Sequence, residues 1–143
     1  MHRYRKILAL MDLSDASAQV AAAARDMAEG TDAEIVALHI VEFIPVEPMG
    51  ETLMPSVQIQ SDLAVRTRER VVEMTRGTGM QRTRCRVEVG NTKAQILRVA
   101  AEEGADLIVL GSRERHGLAI LVNFTEDTVL HASHCDVLAI RLK

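Results

Sequence analysis

Apolar positions along the chain follow two periods. Five short segments are rich in consecutive or alternating apolar residues: Lys6–Asp12 (KILALMD), Ala33–Val41 (AEIVALHIV), Cys85–Val89 (CRVEV), Asp106–Leu110 (DLIVL) and Val137–Leu142 (VLAIRL). Runs of this length between Gly and polar residues predict strands. Between them the apolar residues recur at three- and four-residue spacing, which predicts helices. The first is SDASAQVAAAARDMAEG, rich in Ala, with Ser14 placed to cap it and Gly30 to stop it. Val20, Ala24, Met27 and Ala28 share its inner face. A second helix is expected over 57–76, before the Gly77-Thr78-Gly79 breaker. A third is KAQILRVAAEEG, capped from Gly90-Asn91-Thr92, stopped by Gly104, with Ile96, Leu97 and Ala100 inward. A fourth is expected over 125–132.

The resulting order is strand then helix, repeated. Such an order argues for an α/β fold, a parallel sheet covered by helices on both faces. No repeat or linker divides the chain, so one domain over 1–143 is expected. Strand order does not follow from spacing. A ligand in such a sheet sits beyond the carboxyl ends of the strands, which places Asp12, Val41, Gly90 and Gly111 at the candidate site. Residues 42–56 (EFIPVEPMGETLMPS) hold all three prolines. That connection is long for a compact domain and reads either as a lid or as an idle loop.

Composition narrows the function classes. Aromatic residues are 2% of the chain and the net charge is −3, with no basic tail. A base-stacking surface or a broad phosphate-backbone footprint is therefore not expected, so no nucleic-acid partner. The run Ile7–Met11 is too short for a signal core, and no segment approaches about 18 consecutive apolar residues. No membrane association and a cytoplasmic location are the resulting expectations. Cys85 and Cys135 then read as free thiols.

Several segments together resemble the universal stress protein family. ILALMDLSDAS is similar to that family's first strand, ending in Asp with Ser close behind. ALHIVE is similar to its second strand. VEVGNTKAQILRVAAEEGADLIVLGS is similar to its third strand, glycine turn, helix and fourth strand, and HASHCDVLAIRL to its ending. The resemblance implies an adenine nucleotide alpha hydrolase-like fold, a five-stranded parallel sheet in the order 3-2-1-4-5. It also implies a homodimer.

Many members of that family bind ATP through Gly-x2-Gly-x9-Gly-Ser/Thr. Laid on this chain, the first glycine is Gly111 and the final hydroxyl is Thr125. The second glycine position holds Glu114 and the third Phe124. Gly117 matches another common family glycine. Glycine serves such loops because the backbone can approach phosphate oxygens. At about 5 Å and an effective dielectric near 20, a carboxylate such as that of Glu114 repels each phosphate charge by roughly 3 kcal/mol. Arg113 and Arg115 offset this if they point inward. Phe124 obstructs a helix N-terminus that otherwise offers N–H donors. The expectation is a UspA-like, non-catalytic protein that does not bind ATP tightly. Asp12-Leu13-Ser14 and His134-Cys135-Asp136-Val137-Leu138 resemble that branch. The alternative is a nucleotide sensor or slow ATPase, with ATP held by Asp12, Val41, Gly111, Gly117 and Thr125.

Each candidate also has a simpler reading. Asp12 can cap the turn before the first helix rather than meet a ligand. Ser14 lacks the Gly-x-Ser-x-Gly setting of a nucleophile. His131, His134 and Cys135 lack the further ligand a metal site needs, so no metal is expected. His39, between apolar neighbours, reads as a core or interface histidine. Arg66, Arg68, Arg70 and Arg76, with Glu69 and Glu73, read as a solvated helix face. The run Val137–Leu142 is different. As an apolar edge strand it needs cover, and a two-fold partner pairing through it supplies that cover.

Overall fold

The structure is a computed structural model that describes residues 4–42, 57–76, 83–112, 129 and 131–142. Its elements are β1 (Lys6–Leu10), α1 (Ser17–Ala28), β2 (Glu34–Glu42), α2 (Val57–Arg76), β3 (Thr83–Gly90), α3 (Thr92–Glu103), β4 (Leu107–Ser112) and β5 (Asp136–Arg141). All strand pairs are parallel, and the sheet order is β3-β2-β1-β4-β5. This is the order the family resemblance implied. β1 sits in the middle, with Ile7 opposite Ile35 on one side and Leu107 on the other.

Strand alternation sorts the core into two layers. Ile7, Ala9, Ile35, Ala37, Leu107 and Val109 face α1 and α2, where they meet Val20, Ala21, Ala24 and Val71. Leu8, Val36, Leu38, Ile108 and Leu110 face the other way, onto Ile96, Val99 and Ala100 of α3 and onto Val129. Both faces of the three central strands are thus apolar, which is why their sequences read as unbroken runs. Each fully buried Leu, Ile or Val stabilises the fold by about 1.5–3 kcal/mol relative to its exposed state.

The helix ends follow local chemistry, with one correction. Asn91 caps α3, its side chain accepting from the Ala94 N–H at 3.0 Å, and Gly104 closes it in the left-handed conformation at φ 64. Ser14 does not cap α1. That helix begins at Ser17, and its N-cap, Ala16, makes no side-chain cap bond. The intervening residues form a turn around Asp12, with Leu13 at φ 63. The inner face of α1 is Val20, Ala21 and Ala24, with Ala28 packed at its margin, whereas Met27 is 37% exposed. On α3, Val99 joins Ile96 and Ala100 in the core, and Leu97 is only half-buried.

The lower end of the sheet is tied across the chain. The Asp106 carboxylate accepts the Arg5 N–H at 2.8 Å and the Lys6 N–H at 3.0 Å, and the Asp106 N–H donates to the Lys6 carbonyl at 3.0 Å. On the α3 side, four cations and four carboxylates interlock. Lys6 and Arg84 share Glu34, Arg84 and Arg86 share Glu103, and Arg86 and Arg98 share both Glu88 and Glu102. Hydrogen bonds from Lys6 and Arg84 hold Glu34 below the usual carboxylate range. Burial pushes Glu103 up, but the bonds from Arg84 and Arg86 outweigh it and hold this carboxyl low as well. No helix among the described residues is long and apolar enough to cross a membrane.

Candidate functional site

Strand order reverses at β1, with β2 on one side and β4 on the other, and a ligand crevice belongs outside the carboxyl ends of the strands at such a point. A cleft of about 390 Å³ opens there. Its walls are Leu10 of β1 with Met11 and Asp12 just beyond it, Leu38–Ile40 and Glu42 from β2, Leu110 and Gly111 from β4, and Ala16 and Val20 at α1. Thr92, Ile96 and Leu142 complete the described lining. The size suits a small organic ligand.

Asp12 stands on this wall with its carboxylate already engaged. Oδ1 accepts the Ser14 N–H at 2.9 Å, the Ser14 hydroxyl at 2.6 Å and the Ser17 hydroxyl at 2.9 Å. Ser17 Oγ in turn accepts the Leu13 N–H at 3.0 Å. This closed ring of bonds holds Leu13 in its left-handed conformation, which costs a β-carbon residue on the order of 1 kcal/mol. The carboxylate therefore organises the turn, as its simpler sequence reading required.

Gly111 lies in the cleft for a steric reason visible in the structure. A β-carbon there would sit 2.6 Å from Leu142 Cδ1 and 3.0 Å from its Cγ. The glycine thus admits the Leu142 side chain against the end of β4, and the Leu142 N–H donates to the Ser112 carbonyl at 2.9 Å. Val41 remains paired with Val89 inside the sheet and is absent from the described lining, which takes Ile40 and Glu42 instead. Glu114, Gly117, Phe124 and Thr125 lie outside the described residues, as does the loop over 43–56.

His39 joins the cleft wall, a placement its apolar neighbours concealed. Its Nδ1 lies 2.5 Å from the Met11 carbonyl. A carbonyl only accepts, so Nδ1 carries the proton in this bond. Met11 also donates its N–H to the Leu38 carbonyl at 2.8 Å, which locks the two strand ends together. The signal that could have found His39 is its position two residues from the end of a central parallel strand. Glu42 and Leu142 gave no such signal, because strand order brings them to the cleft.

Charge on the described wall has one sign. Asp12 and Glu42 are carboxylates, and no Lys or Arg lines the cleft among the described residues. Cys135 offers no nucleophile nearby: burial, together with Asp136 and Asp106, pushes its thiol up, which lowers the thiolate fraction. Both cysteines are free thiols. No group of three metal-binding side chains exists among the described residues.

The profile of the universal stress protein family matches residues 3–141. The chain belongs to the universal stress protein family. Universal stress protein A homolog 2 of Coxiella burnetii is 31% identical over 144 aligned positions, covering 100% of this chain and 99% of the relative. Two solved structures share the fold. One is a universal stress protein in complex with cAMP, with a TM-score of 0.77 at 19% identity, covering 99% of this chain and 100% of the other. The second is the universal stress protein UspA from Lactobacillus plantarum, with a TM-score of 0.72 at 24% identity and the same coverage. At these identities the likeness concerns the fold.

Proposed function

We propose that this universal stress protein is a non-catalytic, homodimeric stress-response protein, acting through binding or regulation, whose cleft does not hold ATP tightly. The observation that carries this reading is the charge of the described cleft wall, which presents Asp12 and Glu42 and no cation. A triphosphate entering such a cleft meets repulsion of roughly 3 kcal/mol per close charge pair at an effective dielectric near 20. Glu114 and Phe124 stand at two glycine positions of the family's phosphate loop, the first adding negative charge and the second bulk. The commitment of Asp12 to its own turn points the same way. The protomers pair through Val137–Leu142, the apolar edge of the sheet.

The test is calorimetric titration of nucleotide-stripped protein with ATP, beside a Glu114→Gly/Phe124→Gly double variant. The expected result is one more saturable ATP site in the variant than in the parent at millimolar ATP. Micromolar binding at the cleft of the parent would instead make the protein a nucleotide sensor or slow ATPase, built on Asp12, Val41, Gly111, Gly117 and Thr125.

A further inference from the structure

A second concavity, of about 450 Å³, lies away from the cleft, between the last turns of α2 and the start of β3. Its chemistry is the reverse of the cleft's. Arg68, Arg76 and Arg84 line it with the hydroxyl-bearing Thr75 and Thr83, and no carboxylate does so among the described residues. Val72 and Cys85 give it an apolar floor, and the Thr75 hydroxyl donates to the Val72 carbonyl at 2.8 Å and lies 3.8 Å from Cys85 Sγ.

The three arginines are not equivalent. Arg84 turns its guanidinium to Glu34 and Glu103 on the α3 face, away from α2. Arg68 and Arg76 are exposed and have no hydrogen bond or ion pair among the described residues. Glu69 and Glu73 lie on the same helix but do not line the groove. Two guanidinium groups thus stand at one concave surface without the counter-charges that every cation of the α3-side network has. A guanidinium presents paired N–H donors that match phosphoryl oxygens. The eight-residue separation places the two Cα atoms about 12 Å apart along the helix. That span exceeds one phosphate group and suits a short chain of them.

We propose that this groove is an oligophosphate-binding site, with Arg68 and Arg76 holding the two ends of the ligand. The ligand class is a small linear polyanion, either free or as the phosphate chain of a nucleotide. Binding here is independent of the cleft and survives an empty or closed cleft.

The experiment uses inorganic tripolyphosphate as probe on the intact protein. Calorimetry reads affinity, and the alkylation rate of Cys85, in a Cys135→Ser background, reports occupancy at the groove itself. Saturable binding that slows Cys85 alkylation is expected, with orthophosphate at least about tenfold weaker because it reaches one arginine only. Arg68→Gln/Arg76→Gln should weaken tripolyphosphate at least about tenfold, while Arg68→Lys/Arg76→Lys keeps part of the affinity. Arg66→Gln/Arg70→Gln removes equal charge from the same helix outside the groove and should change affinity less than about twofold. Equal losses in the two glutamine pairs would reduce the effect to net charge and overturn the proposal. So would an unprotected Cys85, or no binding by the parent at millimolar probe. ATP should protect Cys85 as tripolyphosphate does; protection by ATP alone would place recognition on the base and also overturn it.

Discussion

β3 and β5 are both edge strands of one parallel sheet, and they meet solvent with different side chains. β3 directs Arg84, Arg86 and Glu88 toward α3, where they join a charge-balanced network with Glu34, Glu102, Glu103, Lys6 and Arg98. β5 carries Val137, Leu138 and Ile140 half-buried and Ala139 exposed. An edge strand is a template for another chain, and charged residues are one way to block it. The contrast assigns β3 a guarded edge and leaves β5 as the edge suited to a second copy. A self-complementary, two-fold contact through β5 would hide its apolar side chains without a further element.

The largest expected effect comes from making β5 resemble β3. Ala139→Glu places two like charges near a two-fold contact and should weaken the dimer about a hundredfold, or about 3 kcal/mol. Light scattering across a dilution series reads this directly; an unchanged dimer would show that the contact lies elsewhere. A smaller loss is expected where β5 is anchored to β4. Gly111→Ala forces its new β-carbon against Leu142, so the urea midpoint should fall by the equivalent of about 1–3 kcal/mol. If the midpoint holds, Leu142 has room to turn aside and the glycine is not needed for packing.

The smallest effect belongs to the guarded edge. Arg86→Gln breaks contacts to Glu88, Glu102 and Glu103, yet partly exposed ion pairs contribute only about 0–1 kcal/mol. Acid sensitivity is the more specific readout. The bonds from Arg86 and Arg98 hold Glu102 low, and Glu34 and Glu103 are low as well. A carboxyl lowered by folding stabilises the native state above its unfolded value, near 4.3 for Glu, and that contribution is lost as pH falls through the folded value. Comparing urea midpoints at neutral pH and in acid should give a smaller drop for Arg86→Gln than for the parent. An equal or larger drop would mean that other carboxylates govern acid unfolding.

The sheet was legible because Leu8, Val36 and Ile108 alternate with Ile7, Ile35 and Leu107 between two helical layers, leaving the middle of the central strands apolar on both faces. Asn91 and Gly104 were legible as helix ends because their chemistry is local. The start of α1 was not, since Asp12 draws both Ser14 and Ser17 to its own carboxylate and removes Ser14 from capping. At the cleft, Asp12 and Gly111 were marked by strand ends. His39 was hidden by its apolar neighbours, and Leu142 reaches Gly111 only because β5 lies beside β4. Arg68 and Arg76 could not be separated from Arg66 and Arg70 by spacing alone; the packing of α2 on β3 separates them.

The clasp of Asp106 on Arg5 and Lys6 joins residues 101 and 100 positions apart. Synthesis proceeds from the amino terminus, so β1, β2 and β3 emerge well before their last partner on the other flank. Until Leu107 follows, the central strand of the sheet has one finished side and one bare side. A nascent chain halted near Gly90 would therefore present the centre of the sheet as an edge, and chaperone demand should peak in that interval. Arrival of Asp106 ends it, because one carboxylate catches the two backbone N–H groups that fix where β4 docks.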